Sequence, residues 1–405
     1  MQATYEITEN IIWVGANDKK TPLFENLFPL PNGVSYNSYL IKDEKIALLD
    51  TVDAMVTEQF LENIEFELEG RAVDYLVIHH MEPDHGSNVK RLMEMFPKMV
   101  VVGTMKAKKM IKQFFTVEIE DRFLCVKEGD TLNLGTHTLT FYLAPMVHWP
   151  EVMVSYEEKT KILFSADAFG TFGTLDGCIF NDQVDFEKDY LADARRYYAN
   201  IVGKYGLQTQ MLLKKASKLD LKMIASLHGP IWRSNLEWYL EKYNKWSLYE
   251  PEEKGVLILC GSIYGHTLEA ANALAVMMAK EGITNIKIQD VAKTDCSELI
   301  ADIFKYSHLV IASATYNNGI FPKMADLLHD MIALNVQNRT IAVIQNGTWA
   351  PAAGKLIKAA LCQMKNMNVL EEELTILSSL KQCQEEDLRK IAVAMKKALE
   401  SEGGC

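Results

Sequence analysis

The segment His79-His80-Met81-Glu82-Pro83-Asp84-His85 sets five metal-ligating side chains within seven residues. It follows the apolar run Tyr75-Leu76-Val77-Ile78, which reads as a buried strand. The ligands therefore fall where a strand gives way to a loop, a common place for functional side chains. Three more polar residues occur in the same setting. The run Thr138–Leu143 leads through Pro145 to His148, Lys161–Ser165 leads to Asp167, and Lys222–Ser226 leads to His228. Any one of these alone reads as an ordinary loop residue. Their repetition argues for a site, and if the strands share one edge of one sheet the side chains converge there.

The candidate ligands are then His80, Glu82, Asp84, His85, His148, Asp167 and His228. Four imidazoles and three carboxylates exceed the needs of one four-coordinate ion and suit two metals with a shared carboxylate. Asp167, between His148 and His228 in the chain, is the natural bridge. Neutral imidazole suits zinc or iron, and a carboxylate-rich set leans towards the harder, redox-capable iron.

A different chemistry is written into the second half. Gly255–Cys260 reads as a parallel-sheet strand, and Gly261-Ser262-Ile263-Tyr264-Gly265-His266-Thr267 follows it into a helix from Leu268. Strand, hydroxyl- and glycine-bearing loop, then helix is the architecture of an anion cradle, in which backbone N–H groups and the helix terminus meet a phosphate. A plain strand–turn–helix is the alternative. The loop is neither a G-x-G-x-x-G dinucleotide fingerprint nor a Walker loop. Two further strands, His308–Ala312 and Thr340–Gln345, run into Thr315-Tyr316-Asn317-Asn318-Gly319 and Asn346-Gly347-Thr348-Trp349. Each loop combines small residues with one aromatic, as a slot for a flat ring requires. Ligands of open parallel sheets bind at such carboxyl ends.

These residues need two scaffolds. At 405 residues the chain is too long for one core. Short strands over Glu6–Gly15 and Tyr36–Asp50, a helix over Met55–Glu67 and another over Val89–Phe96 suggest a layered α/β first domain. Asp176–Arg196 reads as a loop near the site that runs into a helix. Proline and charge at Glu250-Pro251-Glu252-Glu253-Lys254 mark a short boundary, so the expected domains are 1–250 and 251–405. The last helix, Glu385–Leu399, carries one apolar stripe and reads as packing only.

The net charge of −12 argues against non-specific nucleic-acid binding. No apolar run is long enough to span a bilayer, and the N-terminus lacks a signal-peptide pattern. The seven cysteines are scattered without a C-x-x-C pair, which suits reduced thiols in a cytoplasmic protein, and Cys405 reads as part of a frayed tail.

The order His80-x-Glu82-x-Asp84-His85, then His148, Asp167 and His228, resembles the metallo-β-lactamase fold with one change. Hydrolases of that fold carry a histidine where Glu82 stands, and the glutamate is the pattern of the flavodiiron proteins. Phe24–Pro31 and Ser35–Leu40 resemble that family as well, although some members have histidine near position 25, where this chain has Glu25. Residues 254–400 resemble flavodoxin. The resemblance implies a metallo-β-lactamase-like αββα sandwich followed by a flavodoxin-like doubly wound parallel sheet. It implies FMN, held by the loops at 262–267, 315–319 and 346–349, and two irons. His80, Glu82 and His148 would hold one iron; Asp84, His85 and His228 would hold the other, with Asp167 shared. It places a tyrosine near the irons, either Tyr197 or Tyr198. The implied activity is reduction of dioxygen to water, of nitric oxide to nitrous oxide, or of both, with rubredoxin or a reduced deazaflavin as electron donor. The implied assembly is a head-to-tail homodimer or a dimer of dimers, with the FMN of one chain facing the irons of its partner. A zinc hydrolase with an attached flavodoxin-like domain is the alternative, as is a pure electron carrier.

Overall fold

Strands in the first half are short and almost wholly apolar, which requires cover on both faces. The computed structural model describes residues 2–401, so Cys405 lies outside them. The described chain divides into two units, Met1–Asn244 and Lys245–Cys405. The first holds a seven-stranded sheet whose order is Tyr5–Thr8, Ile11–Trp13, Tyr39–Ile41, Ala47–Leu49, Tyr75–Val77, Val100–Gly103 and Phe123–Cys125. A five-stranded sheet follows, ordered Thr131–Asn133, Thr138–Leu143, Met153–Glu157, Ile162–Phe164 and Met223–Ala225. Alternate residues of both sheets (Tyr39 and Ile41, Ala47 and Leu49, Leu139 and Phe141, Ile162 and Phe164) meet in one core, as two face-to-face sheets demand. The intervening Leu40, Leu48, Leu76, Val101 and Leu163 are buried on the outer faces. The helix Thr57–Leu68 contributes Phe60, Leu61, Ile64 and Leu68 as its buried stripe.

This arrangement corrects one expectation. The ligand-bearing strands do not share one sheet: Tyr75–Val77 belongs to the seven-stranded sheet, the other three to the five-stranded one. A sandwich accomplishes what a single edge was expected to do, because its two sheets end beside each other. The His79–His85 stretch is also more ordered than a loop. Glu82 caps a short helix, Pro83–Gly86, with proline in the first turn where no amide donor is missed.

The second unit is a parallel sheet ordered Ile286–Asp290, Glu253–Gly261, Tyr306–Tyr316, Arg339–Asn346 and Met367–Ile376. Numbered along the chain this is 2-1-3-4-5, the doubly wound flavodoxin-like order. Val256, Leu257, Ile258 and Leu259 are all fully buried, as a sheet with helices on both faces requires. The final helix, Glu385–Ser401, buries Leu388, Ile391, Ala392 and Met395 against this core. Helix Leu236–Ser247 and strand Glu253–Gly261 flank the expected boundary at 250. No helix among the described residues is long and apolar enough to cross a membrane.

Candidate metal centre and phosphate-loop cavity

All seven ligand candidates are buried and meet at the rim of the sandwich. They fall into the groups His80, Glu82, His148, Asp167 and Asp84, His85, His228. In the first, Nε2 of His80 lies 3.1 Å from Glu82 Oε2 and 3.2 Å from Asp167 Oδ2. Nε2 of His148 lies 3.0 Å and 3.3 Å from the same two oxygens. In the second, Asp84 Oδ2 is 3.2 Å from His85 Nε2 and 3.3 Å from His228 Nε2. The other oxygen of Asp167, Oδ1, is turned to this group, 3.2 Å from His85 Nε2 and 3.5 Å from His228 Nε2. One carboxylate thus presents an oxygen to each group.

The donors fit metal ions. An ion with bonds of about 2.0–2.2 Å has neighbouring ligand atoms roughly 3.0–3.5 Å apart, the spacing found here. Both oxygens of Asp84, both of Asp167 and Nε2 of His148 are buried without a hydrogen-bond partner. Unfilled, such groups cost several kcal/mol together, at about 1–3 kcal/mol each; a cation would satisfy all of them. The field demands positive charge. Burial opposes charging of His85 and His148, yet Asp84 and Asp167 around the first, and Asp167 and Glu82 around the second, push them up to about 10 and about 9. Burial works against the Asp167 carboxylate, but His85 and His80 hold it well below the usual carboxylate range.

Surrounding contacts aim the ligands. Nδ1 of His80 donates to Glu151 Oε1 at 2.8 Å, and Nδ1 of His228 donates to the Ser35 carbonyl at 2.7 Å, so both Nε2 lone pairs face inward. The amide of Asn37 donates to the carbonyls of Ser226 and Gly229 on either side of the His228 turn. Gly229 has φ +77°, and a Cβ there would meet Thr171 Cγ2 at 2.2 Å. His79, although next to His80, is turned away between Asp50 and Ser155, 2.5 Å and 2.8 Å from its ring nitrogens. No role was read from the sequence for Glu151, Ser35, Asn37 or Asp50. Ser35 and Asn37 lie in the stretch Ser35–Leu40 that carried the family resemblance, and Glu151 left a signal as a carboxylate three residues past His148.

Rings close the centre from water. Phe24, Tyr36 and Tyr197 lie with centroids 5.5, 5.7 and 5.4 Å from that of His228, and Trp149 lies 5.2 Å from His80. Of the two candidate tyrosines, Tyr197 thus faces the centre, with its buried hydroxyl unpartnered; Tyr198 packs on Tyr243 at 4.8 Å. Glu25 sits at the rim with φ 51°. Desolvation, then the neighbouring Glu82 carboxylate, pushes its carboxyl up to about 8.

In the second unit, a cavity of about 380 Å³ opens at the carboxyl ends of the strands. Ser262, Ile263, Tyr264, His266 and Thr267 line it from the first loop, Thr315, Asn317 and Asn318 from the second, and Asn346, Gly347, Thr348 and Trp349 from the third. Gly265, Tyr316 and Gly319 are outside the lining. Gly265 instead sets the turn, with φ +97° at the helix N-cap and its N–H donated to Ser262 Oγ at 3.0 Å. Ser378 completes the wall from a fourth loop that the sequence reading passed over. Asn346 ties the loops together, donating to Thr267 Oγ1 at 3.3 Å and to the Ser378 carbonyl at 2.9 Å. The cradle fits a phosphate at the helix terminus, and the rings of Tyr264 and Trp349, 91% and 77% exposed, offer faces to a flat group.

Comparison with known proteins bears on both halves. The family described as "ODP family beta lactamase" matches residues 34–229, and the flavodoxin family matches residues 258–394. The anaerobic nitric oxide reductase flavorubredoxin of Vibrio vulnificus is 32% identical over 368 residues, which is 88% of this chain and 73% of that protein. An uncharacterised protein of Methanocaldococcus jannaschii is 30% identical over 387 residues, 95% of each chain. Among solved structures, rubredoxin oxygen:oxidoreductase from Desulfovibrio gigas superposes with a TM-score of 0.92 at 28% identity, covering all of both chains. The flavodiiron protein of Giardia intestinalis does so with a TM-score of 0.91 at 26% identity, over 99% of this chain and 98% of that one.

Proposed function

The chain belongs to the flavodiiron proteins, oxidoreductases with FMN and a pair of irons, and from that premise we propose that it reduces dioxygen to water, nitric oxide to nitrous oxide, or both. The observation that carries this reading is Asp167, whose two oxygens address two separate groups of histidine and carboxylate donors. His80, Glu82 and His148 would hold one iron and Asp84, His85 and His228 the other, with Asp167 shared between the two groups. When bound, the irons supply a site for a diatomic molecule together with electrons, and FMN supplies the passage of electrons from an external donor.

The protein's own residues set the conditions. Glu151 and the Ser35 carbonyl fix His80 and His228 in the tautomer that offers Nε2 inward. The rings of Phe24, Tyr36 and Tyr197 exclude bulk water, so charges at the centre act in a low dielectric. Tyr197, whose ring packs beside His228, has a buried, unpartnered hydroxyl that can serve as a hydrogen-bond donor near the centre. In the second unit, Ser262, Thr267 and the N-terminus of helix His266–Lys280 would take the FMN phosphate, with Gly265 allowing the turn and Asn346 bracing it. Tyr264 and Trp349 would offer ring faces to the flavin, beside the loops at Thr315–Gly319 and Gly347–Thr348.

The donor is rubredoxin or a reduced deazaflavin, and the compartment is the cytoplasm. The assembly is a head-to-tail dimer or a pair of such dimers, in which the flavin of one chain serves the irons of the other. The exposed rings at the flavin cavity favour a covered surface in the assembly.

Consumption of oxygen and of nitric oxide, followed side by side with the iron-loaded, FMN-reduced protein, tests the reaction. Turnover of neither gas, with predominant zinc in the purified protein, would instead favour the hydrolase. The assembly is tested by pairing an Asp167→Ala chain with a Thr267→Glu chain through two affinity tags. Trans transfer leaves one working flavin–iron pair and about half of native activity if the pairs act independently. An inactive heterodimer with correct cofactor content rejects the arrangement.

A further inference from the structure

Beyond Tyr197 the first unit contains aromatic residues that neither hold a ligand nor close the centre. Tyr198 follows Tyr197 in the chain and packs on Tyr243 at a centroid distance of 4.8 Å. Tyr243 is 5.8 Å from Tyr239. Tyr239 stacks on Trp232 at 4.0 Å with 7° between the planes, and Trp232 lies 6.2 Å from Trp238. Tyr198, Tyr243, Tyr239 and Trp232 are at most 1% exposed, whereas Trp238 is half-buried and reaches solvent. A second route enters the same series. Asp167 is two residues before Phe169, whose N–H donates to the Tyr243 hydroxyl at 2.8 Å.

An aromatic core fills volume equally well with phenylalanine, whose ring gives up a single electron far less readily than phenol or indole. Here every station from Tyr243 to the surface is tyrosine or tryptophan, the side chains that can give up one electron, and the stage between the metal centre and Tyr243 is made by the adjacent residues Tyr197 and Tyr198 and by the Asp167–Phe169 backbone. Three of the stations, Trp238, Tyr239 and Tyr243, lie on one helix, Leu236–Ser247. Electron transfer slows steeply with distance, so ring-to-ring steps of this size outrun a single jump from the centre to solvent.

We propose that this series carries oxidising equivalents from the metal centre to Trp238 when the flavin has no electrons to give, a protective activity separate from turnover. It rests on the redox-active centre read above. The oxidant is a peroxide. At the centre, hydrogen peroxide accepts two electrons and two protons, its O–O bond breaks, and two waters form. The electrons leave singly from Trp238 through Trp232, Tyr239 and Tyr243. The indole then binds the oxygen of a solvent water through a new C–O bond, and two protons are released, one from the ring carbon and one from that water. The sum is Trp238 plus hydrogen peroxide giving hydroxytryptophan and water. The Lys242 ammonium, 5.4 Å over the Trp238 ring, disfavours a lasting positive charge on the indole and so promotes proton loss there.

The test uses the full-length protein with iron and oxidised FMN, no electron donor, and hydrogen peroxide in water enriched in heavy oxygen. Peptide mass spectrometry reads the site and isotope of each oxidation. Trp149, beside His80, is the internal reference for chemistry at the centre. The proposal expects oxidation at Trp238 carrying oxygen from water, absent in zinc-loaded protein. In Tyr243→Phe and in Tyr239→Phe it should fall to that background while Trp149 is still oxidised. In Trp238→Phe the modification should retreat to Trp232, an outcome that a packing role for Trp238 does not produce. Trp238 oxygen derived from peroxide, or Trp238 oxidation equal in all variants, overturns the path. Modification of Trp149 alone in the native protein does the same while leaving the redox centre standing. Iron-loaded protein in which neither tryptophan reacts overturns the redox reading itself, and the path with it.

Discussion

The two sites of this chain use opposite materials. In the first unit the functional groups are ionisable side chains, buried and brought to within 3.0–3.5 Å of each other. In the second, the cavity lining contains no carboxylate, lysine or arginine; hydroxyls, amides, backbone, one histidine and the apolar Ile263, Ala314 and Trp349 make the wall. The difference follows from the ligand's charge. Cations need concentrated anionic donors, and a fold that buries those without cations leaves them unsatisfied. An anion can be met by backbone N–H groups at a helix terminus that exist anyway. The first site should therefore be strongly coupled to its ligand and sensitive to any donor. The second should tolerate change until a charge of the wrong sign enters it.

The largest expected effect is a double dissociation. Asp167→Ala removes the carboxylate shared by both donor groups, so metal content should fall from about two ions per chain, with FMN retained and turnover of whichever gas the native protein consumes lost. Thr267→Glu puts an acid at the helix terminus where Thr267 is buried. FMN should then be lost through repulsion and the missing donor, with metal content unchanged. Metal analysis and flavin absorbance on the same samples decide the matter. Full metal content in Asp167→Ala, or normal FMN retention in Thr267→Glu, would break the contrast.

A smaller effect probes how far the metal site's sensitivity extends. Glu151 touches neither donor group's centre but accepts the Nδ1–H of His80 and the N–H of Met81 through one oxygen. Glu151→Ala should weaken metal binding about 10–100-fold, the usual cost of losing such an orienting partner. Glu151→Gln keeps an oxygen acceptor and should recover much of it. Equal losses in both variants, measured by chelator competition, would place Glu151's importance in its charge.

The same contrast explains what could be read in the sequence. Ligand types such as His80, Glu82, Asp84 and His85 are conspicuous because dense ionisable groups after an apolar strand have few other uses. The loops at 262–267, 315–319 and 346–349 are legible because parallel strands end there. Pairing of strands into sheets is long-range, so the allocation of ligand strands to two sheets left no local trace. Asn37 and Ser35 act through partners nearly two hundred residues away, 189 to 193 positions along the chain. The stretch Ser35–Leu40 was legible as a family resemblance, but its partners across the chain were not. Ser378 escaped for a different reason: it follows the last strand, Met367–Ile376, whose three consecutive glutamates, Glu371 to Glu373, obscure the apolar run that marked the other strands.

The smallest expected effect concerns acid, and it falls on the second unit at a site away from its ligand cavity. His308, on strand Tyr306–Tyr316, is fully buried, with Nδ1 2.8 Å from Ser307 Oγ. Burial, then the charges of Lys254 and Arg339, bring its pKa from 6.5 down to about 4. The sign follows from which state binds the proton. Between pH 6.5 and 4 the unfolded chain holds a proton on this imidazole that the folded chain refuses, so acid favours unfolding across that window. Stability is unaffected above pH 6.5, declines as pH falls towards 4, and changes no further from this group below that. A displacement of this size corresponds to about 3 kcal/mol across the window. His308→Gln keeps a polar side chain of similar size and cannot titrate. Urea unfolding followed through FMN release should give the native protein a midpoint that drops on going from neutral pH to about 4, and the variant a smaller drop. Parallel pH dependence in both proteins would show that the second unit's acid response arises elsewhere.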